Sequence, residues 1–181
     1  MKSKILISTG GSGGHVIPAI TMHDHLKDNY DILISSDVRG LQYLDNKIYN
    51  VAVINTPKFN NFILLPLSIL KVFFLTLKSL ILLKKKKIQI LISTGGYMSL
   101  PLCLAAKVLN IKIYLLEPNM VIGRANKFFL KFCKNIICYS DNIIGFPIEY
   151  KNKLKVTNPL IRKKYYHKKL IENNNEKFTL I

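Results

Sequence analysis

The run Gly10-Gly11-Ser12-Gly13-Gly14-His15 places an imidazole directly behind a glycine-rich turn. Glycines let a backbone approach a ligand closely, and free N–H groups at a helix start favour phosphate and other anions. Imidazole is the side chain that ordinarily titrates near neutrality, and the positive end of a helix dipole favours its neutral form, as a general base requires. The same spacing also suits a structural histidine that caps the turn. His23 and His25 follow further down the helix and read as surface or packing residues. The run is not the dinucleotide-binding G-x-G-x-x-G, because Val16 stands where the third glycine belongs when counting starts at Gly11. No Lys-Ser/Thr pair follows, so it is not a P-loop either.

Two further segments could do chemistry. Gly95-Gly96-Tyr97-Met98-Ser99, with Pro101 just behind, repeats the pattern of a glycine turn leading into a helix. In Glu117-Pro118-Asn119 a carboxylate and an amide are suited to sugar hydroxyls, although Pro118 and Asn119 also fit a plain turn and helix cap. No Asp-x-Asp pair offers a metal site.

These loops need elements to hold them. Short β-branched runs alternate with helical patterns, the signature of βαβ units and a parallel sheet covered on both faces. The expected strands are Lys4–Ser8, Asp31–Ser35, Val51–Asn55, Ile88–Ser93, Ile111–Leu116 and Asn135–Tyr139. Helices are expected over His15–Lys27, Asp37–Asn46, Phe62–Leu83, Leu100–Leu109 and Ile122–Phe132. The fold class is α/β, a Rossmann-like doubly wound parallel sheet with ligands at the carboxyl ends of its strands. The Lys/Asn-rich stretch Tyr150–Lys177 reads as an exposed connection, and Lys177–Ile181 turns apolar again like a strand beginning.

With 181 residues, 49% of them hydrophobic, the chain can bury a core. The formal charge of +17 would suit a polyanion, but it is carried almost wholly by lysines, with arginine only at 39, 124 and 162. Lys, Asn and Ile are enriched together, as AT-rich coding DNA produces, so the location of the charge says more than its total, and no nucleic-acid partner is expected. Cys103, Cys133 and Cys138 lack zinc-type pair spacing, and no N-terminal signal segment precedes them, so they read as core residues in a reduced, cytoplasmic setting.

The segment Phe62–Leu83 is about 22 residues long and, at 1.5 Å each, would reach roughly 33 Å, just enough to span a bilayer. Pro66, Lys71 and Lys78 argue against spanning, as does the need to keep the flanking strands in one sheet. On a helical wheel Ser68, Lys71, Thr76, Lys78 and Ser79 gather on one arc, opposite a broad face of Ile69, Leu70, Phe73, Leu77 and Leu80. Lys84–Lys87 follow at once. Peripheral docking on an anionic membrane surface is therefore expected, through Leu70, Phe73, Phe74, Leu77, Lys84 and Lys85. The alternative is a core crossover helix.

Taken together, GGSGGHVIPA, STGGYMSLPLCLAA, EPNMVIGRANK and TNPLIR resemble the N-terminal domain of the MurG family, and the resemblance covers nearly the whole chain. That family is the UDP-N-acetylglucosamine:N-acetylmuramyl-(pentapeptide) pyrophosphoryl-undecaprenol N-acetylglucosaminyltransferases of peptidoglycan synthesis. The resemblance implies a glycosyltransferase-B architecture, inverting and metal-independent transfer, and no cofactor. The implied partners are UDP-N-acetylglucosamine and the undecaprenyl-linked muramyl-pentapeptide acceptor, at the cytoplasmic face of the bacterial inner membrane. It makes His15 the candidate catalytic base. Ser12, Gly13, Gly14, Asn119 and Arg162 carry over as donor-binding positions, with Asn119 and Arg162 reaching the sugar nucleotide only in a closed cleft. Gly95, Gly96, Tyr97, Ser99 and Glu117 carry over as acceptor-binding positions. Residues 1–150 would form the acceptor-side domain, 151–176 a connection, and 177–181 the start of a donor-binding domain.

Two departures stand out. Where the family reads His-Glu-Gln-Asn, this chain has Leu116-Glu117-Pro118-Asn119. Where it reads Gly-Asn-Pro-x-Arg, this chain has Thr157-Asn158-Pro159-Leu160-Ile161-Arg162, without the glycine and with one added residue. Two other readings compete: a membrane-anchored module of a split glycosyltransferase that recruits a separate donor-binding chain, and a nucleotide-binding regulatory protein with Asp37 on a ribose.

Overall fold

Seven strands form one all-parallel sheet in the computed structural model, which describes residues 2–57 and 65–162. In chain order they are β1 (Lys4–Ser8), β2 (Asp31–Ser36), β3 (Val51–Val53), β4 (Ile90–Ser93), β5 (Lys112–Glu117), β6 (Asn135–Cys138) and β7 (Leu154–Val156). Their spatial order is β3-β2-β1-β4-β5-β6-β7. Leu6 of β1 stands opposite both Leu33 and Leu91. Alternate residues point to opposite faces, so each strand feeds two cores. Leu6, Leu33, Leu91, Leu115 and Ile136 pack on one side with Leu102, Cys103, Ala106 and Phe129. Ile5, Ile7, Ile32, Ile92 and Leu116 pack on the other with Ala19 and Met22.

The order of strands creates the site. The chain runs outward from β1 through β2 to β3, then returns to place β4 on the other flank of β1. Loops leaving the carboxyl ends of β1 and β4 therefore diverge to opposite faces and leave a crevice between them. The first leads into helix α1 (Gly13–Leu26), the second into a short 3₁₀ turn, Tyr97–Ser99, and helix α4 (Leu100–Val108). Thr94 ties the two strand ends together, with its N–H on Ser8 O and its Oγ1 3.0 Å from Thr9 Oγ1.

Several boundaries differ from the sequence expectation. The helix expected over Asp37–Asn46 is a single turn, α2 (Val38–Leu41), because Asp45 accepts the Lys47 N–H and starts a new turn. The helix expected over Ile122–Phe132 is α5 (Arg124–Phe129); Ile122 is held outside it by a backbone bond to Ile144. Strand β7 lies inside the stretch read as an exposed connection. It is a three-residue edge strand beside β6, and its Lys155 is exposed, a pattern too short and too charged to stand out in sequence. The apolar segment expected at Lys177–Ile181 lies outside the described residues.

Helix α3 (Leu65–Lys85) crosses from β3 to β4 and packs against α4. Its polar arc divides, with Lys71 and Lys78 exposed alongside the apolar face. Ser79 is fully buried and Thr76 partly so, whereas Leu67, Ile69, Phe73, Phe74 and Ile81 are more than half exposed. The buried hydroxyls donate to carbonyls one turn back, Thr76 to Val72 and Ser79 to Leu75, both at 2.8 Å. That back-bonding satisfies them without water, and their small size admits close approach to the body of the protein. Pro66–Lys85 is long and apolar enough to cross a membrane, with a mean hydropathy of 1.9 and only 17% of the stretch buried. It also joins two strands of one sheet, which a crossing would separate.

Candidate active site

A cleft of about 440 Å³ opens where the β1, β4 and β5 loops meet. His15, in the first turn of α1, forms one wall, and Gly95, Gly96 and Tyr97 form a second. Glu117, Asn119 and Asn126 form a third. His15 Nδ1 lies 2.7 Å from the Thr94 carbonyl oxygen, which can only accept, so Nδ1 carries a proton, and in the neutral ring the lone pair is on Nε2. Gly96 borders Nε2 closely, and a β-carbon added there would sit 3.7 Å from it. At φ +78°, Gly96 also holds a left-handed backbone that side chains other than glycine's resist.

The helix start behind His15 is open to an anion. Ser12 is the N-cap residue, exposed and making no capping bond with its side chain. Among the described residues the N–H groups of Gly13 and Gly14 meet no acceptor, while His15 N already bonds Ser12 O.

The β5 loop is held by Glu117, which is 2% exposed. Its Oε1 accepts from the Asn119 side-chain amide at 3.0 Å and from Asn119 N–H, and its Oε2 accepts from Gly123 N–H at 2.7 Å and Asn126 Nδ2 at 3.0 Å. Glu117 thus borders the cleft with its carboxylate committed to the loop. Asn119, exposed, keeps its amide oxygen for the cleft. Asn126, which sequence reasoning passed over, is buried, and its Oδ1 has no hydrogen-bond partner among the described residues. A polar residue at a core-facing position of a short helix was the available signal.

A third cluster, also missed, locks the two glycine loops to each other. Asp37, buried, accepts from Gly11 N–H at 2.8 Å and Gly40 N–H at 2.9 Å through Oδ1, and from Arg39 Nε at 2.9 Å through Oδ2. Burial alone would raise its carboxyl, but the Gly11, Gly40 and Arg39 donors outweigh it and hold it below the usual value. With both oxygens engaged, Asp37 does not offer the free carboxylate that a ribose would need. Arg39 continues to the Tyr97 hydroxyl and lies over the Tyr97 ring. Gly40 is obligatory, since a β-carbon there would meet Ser36 Oγ at 2.1 Å and Gly10 Cα at 2.9 Å.

Not every expected position reaches the cleft. Ser99 is buried and gives its hydroxyl to Gly96 O at 2.7 Å, shaping the loop from behind. Arg162 lies apart, in a depression with Asp24, Tyr43, Asp45 and Tyr49. Leu70, Phe73, Phe74, Leu77, Lys84 and Lys85 are all exposed along α3. The three cysteines are free and buried, and burial pushes the Cys103 thiol up to about 12 and the Cys138 thiol to about 11, so they serve packing.

The sequence matches the glycosyltransferase family 28 N-terminal domain over residues 5–138. It is 55% identical over 170 residues to the UDP-N-acetylglucosamine–N-acetylmuramyl-(pentapeptide) pyrophosphoryl-undecaprenol N-acetylglucosamine transferase of Pelagibacter ubique (strain HTCC1062), covering 93% of this chain and 48% of that protein. The protein of the same name from Rickettsia prowazekii (strain Madrid E) is 34% identical over 162 residues, covering 88% of this chain and 41% of its own length. The chain thus spans about half the length of the curated relatives it matches. The crystal structure of Acinetobacter baumannii MurG superposes with a TM-score of 0.74 at 21% identity, over 91% of this chain and 48% of that one, which establishes the shared fold. On the family match over residues 5–138, this chain belongs to glycosyltransferase family 28, through its N-terminal domain.

Proposed function

We propose that this chain supplies the acceptor side of an N-acetylglucosaminyltransferase that acts on UDP-N-acetylglucosamine and an undecaprenyl-pyrophosphoryl muramyl-pentapeptide. The observation that carries the reading is the tautomer of His15: with Nδ1–H bound to Thr94 O, the basic Nε2 faces the cleft beside Gly96. The muramyl C4 hydroxyl gives its proton to Nε2 as its oxygen bonds to the anomeric carbon. The bond from that carbon to the β-phosphate oxygen breaks, and UDP leaves with the electron pair, inverting the centre. Free N–H groups at Gly13 and Gly14 suit a diphosphate oxygen, with Ser12 beside them. Gly95, Gly96 and Tyr97 would border the acceptor, with Ser99 and Glu117 fixing their loops. Asn119 and Arg162 would meet the donor.

In this reading residues 1–150 are the acceptor-side domain, 151–176 lead away from it after contributing β7, and 177–181 open the donor-binding domain. The exposed face of α3 and Lys84–Lys85 rest on the anionic cytoplasmic face of the bacterial inner membrane. The decisive experiment replaces His15 with Ala in the full-length protein and follows transfer of labelled N-acetylglucosamine. A loss of about 10²–10⁴-fold in kcat is expected of a missing general base. Full activity in H15A would remove His15 from that role.

A further inference from the structure

The tautomer of His15 depends on where the Thr94 carbonyl sits, because that oxygen accepts from Nδ1–H at 2.7 Å. The carbonyl belongs to the peptide that leads into Gly95, so its direction follows the second glycine loop. Gly95 and Gly96 hold φ values of +88° and +78°, and glycine is the residue whose own backbone does least to fix such a path. Both stand against the ring: a β-carbon added at Gly95 would lie 3.5 Å from His15 Cε1, and one at Gly96 3.7 Å from Nε2. The loop must therefore be fixed from its ends. At the inner end Thr94 bonds Ser8 O and the Thr9 hydroxyl. At the outer end the Tyr97 hydroxyl accepts from Arg39 Nη2. Arg39 Nε is held by Asp37 Oδ2 at 2.9 Å, while Asp37 Oδ1 holds Gly11 N–H at 2.8 Å. The outer tie thus returns to the first glycine loop, four residues before His15.

We propose that Arg39 is a positioning residue for His15, holding the Thr94 carbonyl on Nδ1 by way of Tyr97 and so keeping Nε2 the unprotonated nitrogen. Arg39 is not among the residues that line the cleft, so it acts through the loop and not on a substrate. A guanidinium suits the task because one planar fork serves both partners. Nε faces Asp37 while Nη2 reaches the Tyr97 hydroxyl, with the guanidinium carbon 5.5 Å from the centre of the Tyr97 ring. Met98, 3% exposed, adds a contact from its sulfur to Nη2 at 3.9 Å. Released from that tie, the imidazole can place its proton on Nε2, and a protonated Nε2 no longer accepts one from a hydroxyl. The kinetic consequence rests on the transferase reading, and the tautomer does not.

The test reads both ring nitrogens of His15 by NMR in the full-length protein carrying isotopically labelled histidine, at a pH where imidazole is neutral, with H15Q identifying the signal. The wild type should carry its proton on Nδ1 alone. Arg39→Met and Tyr97→Phe remove the same bond from opposite sides, and each should mix the two tautomers. Each should also lower kcat by about 10²-fold, the scale on which a small misplacement of a reacting group acts. Y97F removes one hydroxyl and leaves Asp37 with its glycine donors, so it decides the matter if R39M fails to fold. A proton that stays on Nδ1 in the folded variants overturns the proposal even where kcat falls, because Arg39 would then act by another route. Mixed tautomers in both variants, beside full activity in H15A, would support the positioning role and remove the transferase reading of His15.

Discussion

The crevice between β1 and β4 and the outer side of α3 break the usual distribution of side chains in opposite directions. At the crevice, polar groups are buried: Asp37, Glu117, Asn126 and Ser99 are each at most 3% exposed. On α3, Leu67, Ile69, Leu70, Phe73, Phe74 and Ile81 are each more than half exposed. Both inversions cost stability unless something offsets them. At the crevice the offset is internal, since among the described residues Asn126 Oδ1 is the one buried side-chain polar atom without a partner. On α3 no offset lies within the described residues. A region that satisfies itself is built to hold a geometry, and a region that does not is built to meet something else.

Glu117→Ala should have the largest effect on stability, because it removes the buried acceptor shared by the Gly123, Asn119 and Asn126 donors and unties the loop from β5. A loss of about 3 kcal/mol or more is expected in denaturant unfolding, and a near-neutral result would mean the loop does not depend on it. Phe73→Ser with Phe74→Ser should act the other way round. Folding stability should stay within about 0.5 kcal/mol, as for exposed sites, while partition onto phosphatidylglycerol-containing vesicles, measured by co-sedimentation, falls by about tenfold or more. Unchanged sedimentation would assign the apolar face to another partner.

Asp37 gives a pH signature. Its carboxyl lies below the ordinary 3.8 in the folded protein, so its contribution is fully present above that value and is lost as pH falls through the lowered one. Comparing denaturant midpoints at neutral pH and near pH 3, Asp37→Asn should be weaker than wild type at neutrality and closer to it in acid. A constant gap would mean the charge on Asp37 does not matter. The smallest effect belongs to Lys84→Gln and Lys85→Gln. Each should weaken vesicle binding by about 1 kcal/mol at low salt, and the difference should vanish as ionic strength rises.

Much of this was legible in the sequence, and where it failed the reason is physical. β1 was legible to the residue because its apolar run is bounded by polar residues and buried on both faces. The glycine loops and His15 were legible because few other arrangements call for those residues together. β7 was not, since an edge strand of three residues takes its order from β6 rather than from its own pattern. On α3 the exposed apolar face was legible, but the division of its polar arc was not, because back-bonded Thr76 and Ser79 can be buried at little cost. Arg39 and the role of Asp37 were hidden for a different reason: their partners Tyr97 and Gly11 lie on other loops, and only the fold assembles them.

Helix α3 leads into β4, whose carboxyl end opens onto the Gly95 loop, with only Lys86–Gln89 between helix and strand. A protein resting on a surface along this helix would therefore present its cleft at a fixed height and tilt. Under the proposed transferase reading, the search for an acceptor embedded in the same surface is then confined to a plane, with the rotation about two axes already settled. Docking would orient the catalyst once, and every later encounter would begin from that alignment.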